Sequence, residues 1–102
     1  MRLGAVSPAP ATETLLYAPA VGVTGTIKVF IANRVSSPAR VKVVHRPGAG
    51  ATVDEDYLTF DEAVPGNEAR RSAVFDIKNP AEIHVVTDIA GVTFQANGFE
   101  RT

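Results

Sequence analysis

From Thr24 to Arg46 apolar and polar side chains alternate almost without a break. Ile27, Val29 and Ile31 fall on one face of the first half, with Thr26, Lys28, Phe30 and Ala32 on the other. In the second half Val41 and Val43 alternate with Arg40 and Lys42. A period of two marks a half-buried strand. The spacing predicts strands over Thr24–Asn33 and Ala39–Arg46, joined by a turn at 34–38 into an antiparallel hairpin.

The same reading along the chain predicts further short strands over 13–17, 56–61, 69–77, 82–87 and 92–97. Turn signals separate them: Pro19 and Gly22, Pro47 and Gly48, Pro65 and Gly66, Asn79 and Pro80, and Gly91. Gly98 is a candidate bulge that would alter the facing of Phe99. About seven strands with a turn roughly every ten residues fit an all-β domain, a single small antiparallel β-sandwich of Ig-like or jelly-roll-like form. Pro8 and Pro10 disfavour helix in the N-terminal stretch. Residues 1–13 are therefore expected to be an extended arm, frayed or lying on a neighbouring subunit, and residues 14–102 the sandwich.

The inward phase defines a core of Ile27, Val29, Ile31, Val41, Val43, Phe75, Ile83, Val85, Val92 and Phe94. Phe30, Val44, Val74 and Val86 fall on the outward phase, although they are apolar. Either loops cover them or the facing differs in one sheet, or they form a subunit interface. The interface alternative makes these four, with Pro8 and Pro10 of the arm and the Arg70-Arg71 doublet, the candidate partner contacts. It predicts a homo-oligomer or a multicopy lattice subunit.

At 102 residues the chain fits one domain. It contains no cysteine, so disulfides and thiolate metal sites are excluded. Ten basic and eleven acidic residues give a net charge of −1. That balance argues against the broad basic surface used for nucleic acid and supplies no polybasic membrane signal. No apolar run approaches the roughly 20 residues that span a bilayer. The prolines near the N-terminus interrupt any signal-peptide core.

Candidate chemistry is sparse. His45 and His84 are opposite in phase and lack the spacing of a shared metal site. His45 is expected to be a satisfied structural histidine and His84 a solvated one. The loop from Pro47 lacks the Lys-Ser/Thr ending of a phosphate loop. Asp54, Glu55, Asp56, Asp61 and Glu62 concentrate acidity without the spacing or glycine of an EF-hand. No nucleophile motif is present. The residues point to a protein without catalytic residues, cofactor or metal, one that works by binding.

An ordered series of short segments adds to this. It runs Leu16-Tyr17-Ala18-Pro19-Ala20-Val21-Gly22, Val29-Phe30-Ile31-Ala32-Asn33-Arg34, Arg46-Pro47-Gly48-Ala49-Gly50, Asp56-Tyr57-Leu58 and Gly91-Val92-Thr93-Phe94-Gln95-Ala96-Asn97-Gly98. The series resembles a family of short tailed-bacteriophage virion structural proteins. The resemblance spans most of the chain from Leu15 to Glu100. It implies a non-enzymatic virion component used in several copies, assembled in the host cytoplasm and contacting the major capsid protein or other virion proteins. A capsid decoration (cement) subunit is the expected role. A neck or tail accessory subunit, or a carbohydrate- or receptor-binding module, is the alternative.

Overall fold

The structure, a computed structural model, describes residues 2–48, 56–72 and 74–102. Among these residues the chain forms nine strands and no α-helix. They are β1 (Arg2–Val6), β2 (Thr14–Tyr17), β3 (Thr24–Asn33), β4 (Ala39–Arg46), β5 (Tyr57–Val64), β6 (Ala69–Arg71), β7 (Phe75–Lys78), β8 (Glu82–Thr87) and β9 (Val92–Arg101). All pairings are antiparallel, in two sheets. The first, here the β3 sheet, has the order β1-β9-β3-β6, with β7 also paired to β3. The second, the β4 sheet, has the order β2-β8-β4-β5.

The two sheets bury their facing sides against each other. β3 contributes Ile27, Val29 and Ile31, and β9 contributes Val92, Phe94 and Ala96. Val41, Val43, Ile83 and Val85 meet them from the β4 sheet. Every core residue expected from the alternation is buried except Phe75, which is half-buried and packs against the cluster. Burial of apolar area on this scale is the main favourable term in such a domain.

The strand bounds expected for β3 and β4 hold, but the hairpin does not. β3 pairs with β6, β7 and β9, whereas β4 pairs with β5 and β8. Residues 34–38 therefore cross from one sheet to the other. Buried Asn33 anchors the crossing: its Nδ2 donates to the carbonyls of Ser37 (2.8 Å) and Val64 (3.1 Å), and its Oδ1 accepts from the Val35 N–H (3.1 Å). The turn at 65–67 packs on the crossing, since a Cβ on Gly66 would lie 2.1 Å from the Ser36 carbonyl oxygen. Alternation reports which side of a strand is buried; it does not report the neighbour.

The N-terminal stretch read as an extended arm is also different. Arg2–Val6 is an edge strand of the β3 sheet, paired with β9. Leu3 and Val6 pack against the core, Pro8 is buried, and the Ala11 N–H donates to the Thr87 carbonyl at 2.7 Å. Gly4 permits this closeness, because a Cβ there would lie 2.2 Å from the Leu16 carbonyl oxygen. The single strand expected over 69–77 is two short ones, β6 and β7. β9 runs to Arg101 with continuous pairing to β3 through Gly98, so Phe99 keeps the outward phase. The segment 49–55, which includes most of the glycine-rich loop and the acidic Asp54 and Glu55, lies outside the described residues.

Candidate interaction surface

The outward side of the β3 sheet is built by register. Directly opposed residues of an antiparallel pair share a face. Phe30 stands opposite Gln95 on one side and Arg71 on the other. Lys28 stands opposite Asn97, and Thr26 stands between Phe99 and Asp76. Three large apolar side chains remain open here: Phe30 at 37% exposure, Phe99 at 57% and Val74 at 58%. They line one depression of about 270 Å³, together with Thr26, Ile27, Lys28, Asn97 and Gly98.

Charge is unevenly placed around this patch. Arg71 flanks Phe30, Arg2 lies opposite Asn97, and Lys78 and Arg101 lie on either side of Thr24. Arg34 reaches the same face, donating to the hydroxyls of Thr93 (2.8 Å) and Ser7 (3.4 Å). Among the described residues, the carboxylate on this face is that of Asp76. It accepts from Thr26 at 2.7 Å and from Arg101 at 3.1 Å, and these bonds hold its carboxyl below the usual carboxylate range. Arg2, Lys28, Arg71 and Lys78 form no ion pair among the described residues. The net charge of −1 thus sums over a face on which cations outnumber carboxylates among the described residues.

The outward side of the β4 sheet is organised differently. Lys42 lies 3.8 Å from Asp61, and Arg46 pairs with Glu13. Arg40 donates its main-chain N–H to Asp88 (2.8 Å) and its guanidinium to the Asp61 carbonyl (3.1 Å). His84 is not solvated as expected. Its side chain is 12% exposed, with Nε2 2.9 Å from Glu82 and Nδ1 3.7 Å from Glu13. His45 is half-buried. No group of three or more His, Asp or Glu among the described residues is arranged to hold a metal ion.

The expected partner contacts divide accordingly. Phe30, Val74 and Arg71 come together on the β3 sheet. Val44 keeps its outward phase but is fully covered within the chain, beside His84 and Tyr57 on the adjacent strands. Val86 lies half-buried on the β4 sheet, in a separate depression of about 170 Å³. Arg70 faces the other way from Arg71 and bonds Glu68 at 3.2 Å. Pro8 is buried and Pro10 is exposed in the link to β2. Phe99 and Lys28 complete the surface and were missed; continuing the alternation of β9 through Gly98 finds Phe99.

Comparison with protein-family models, with curated proteins and with solved structures gives no match for this chain.

Proposed function

We propose that this protein is a tailed-bacteriophage virion structural protein, a capsid decoration subunit present in many copies on the assembled head. It acts by occupancy, without turnover of a substrate. Bound copies stabilise the assembled shell by mass action, because they bind that state and not its separated parts.

The observation that carries this reading is the open apolar patch of Phe30, Val74 and Phe99. Contiguous exposed apolar surface with a polar rim is characteristic of sites that dock a macromolecule. The ordered series of family-like segments is what supports a virion setting. The strand order supports a jelly roll of eight strands, with β6 and β7 as one interrupted strand. Jelly rolls recur in viral capsid and lectin domains, an analogy of fold only.

The experiment is to locate the protein in purified particles by density mapping, and to compare the heat resistance of particles with and without it. Many copies on the head, and earlier heat rupture in their absence, are the expected results. A neck or tail location would replace decoration with an accessory role. Absence from particles, or catalytic turnover by the isolated chain, would overturn the reading.

A further inference from the structure

We infer that the outward side of the β3 sheet docks a different protein through a carboxylate-rich patch carrying one protruding apolar side chain. The inference deepens the binding role proposed above by naming the face and the chemistry of its partner.

The depression bordered by Phe30, Val74 and Phe99 is the apolar centre. At about 270 Å³ it is smaller than the roughly 300–1,000 Å³ of typical small-molecule pockets, and it suits an inserted side chain. Cations surround it: Arg71 beside Phe30, Arg2 across β9, Lys78 and Arg101 beyond Thr26, Arg34 at the opposite end, and Lys28 in its lining. Only Arg101 has a carboxylate partner among the described residues. An apolar centre within a charged rim is the anatomy of a protein interface.

A second copy of this chain is a poor occupant. Two β3 sheets face to face would oppose like charges, which is costly. On the β4 sheet Asp61, Glu13 and Glu82 already face Lys42, Arg46 and His84, so a contact between the β3 sheet of one copy and the β4 sheet of another would compete with ion pairs inside the chain. A nucleic acid is also a poorer fit. A phosphate backbone favours a continuous basic track. Here the cations ring neutral Thr26, Asn97 and Gln95 and the apolar patch.

The test uses the full chain, isotope-labelled for amide NMR. It is titrated with a short synthetic peptide whose Asp and Glu residues flank a central Leu-Phe. Parallel titrations use the Asn/Gln version of the peptide and an oligothymidylate. Saturable shifts in β3, β7 and β9 are expected with the acidic peptide, weakening as salt rises. The double variant Lys28→Glu/Arg71→Glu should bind about tenfold or more weakly. Arg40→Glu on the other sheet, as a control, should bind as the parent does. Spectra of each variant check that the fold is kept, and Phe99→Ser gives a second, charge-neutral variant expected to weaken binding.

No saturable shift, shifts confined to the β4 sheet, equal binding of the neutral peptide, or tighter binding of the oligonucleotide would overturn the inference. Incorporation of the double variant into particles separates this inference from the proposed role. Normal incorporation would sink the docking face and leave the virion role standing. Peptide binding by a chain absent from particles would do the reverse.

Discussion

The two outward faces of this sandwich differ more than the two halves of its core. On the β4 sheet, charged groups answer one another: Arg46 with Glu13, Lys42 with Asp61, His84 between Glu82 and Glu13. On the β3 sheet, cations stand around open phenylalanines with one carboxylate among them. The first arrangement serves the fold. The second leaves Arg2, Lys28, Arg71 and Lys78 without an ion pair among the described residues, and the proposed docking rests on that. Total charge cannot distinguish the two, because it sums over faces that point in opposite directions.

Mutations can break or sharpen this contrast. The largest effect is expected where both faces share support. Phe94 is fully buried between the sheets, and Phe94→Ala should cost about 3–5 kcal/mol in denaturant unfolding. A loss under about 1 kcal/mol would show that the sheets do not pack through it. Asn33→Ala comes next, at about 1–3 kcal/mol, because it leaves the buried carbonyl of Val64 and its neighbours short of a donor.

Smaller effects separate the faces themselves. Glu13→Gln on the β4 sheet should cost up to about 1 kcal/mol, since it weakens the bond to Arg46 and the approach to His84. Lys28→Gln and Arg71→Gln on the β3 sheet should stay within about 0.5 kcal/mol of the parent. Equal losses on both faces would erase the contrast.

The smallest effect is one of pH. Tyr17 donates to Glu100 at 2.6 Å, and burial first, then this hydrogen bond and the nearby carboxylate, pushes its phenol up. A raised pKa favours the protonated form in the fold. That contribution is complete below the unfolded value of about 10 and is lost as pH rises above it. The melting temperature of the parent should therefore fall more steeply above about pH 10 than that of Tyr17→Phe. Parallel curves would remove Tyr17 from the account.

The sequence was most legible where one face of a strand is apolar and the other polar. Thr24–Asn33, Ala39–Arg46 and Glu82–Thr87 have the bounds that alternation gives them. Partner choice was not legible, because Val29 reads the same whether its neighbour is in β4 or β9. β1 was obscured because Gly4 and Ala5 break its apolar phase and prolines follow it. Val44 has the right phase and the wrong exposure, since cover depends on neighbours brought from β5 and β8. Phe30, Val74 and Arg71 of the candidate surface could be named from the sequence. Grouping them with Lys28 and Phe99 on one face required the register of β3 with β6 and β9.

The break between β6 and β7 has a further consequence. These strands are three and four residues long and sit at an edge of the β3 sheet. Between them Ser72 takes over the strand's work: its N–H donates to the Val29 carbonyl and its Oγ accepts from the Val29 N–H, both at 2.9 Å. Among the described residues, a foreign strand adding at this edge would meet two short strands of three and four residues and no long regular template. Edge-to-edge growth into fibres is thereby discouraged at one border of the sheet that carries the open Phe30 and Phe99. Sticky side chains are kept on a face, where recognition depends on shape and charge, and away from a backbone that would accept almost any extended chain.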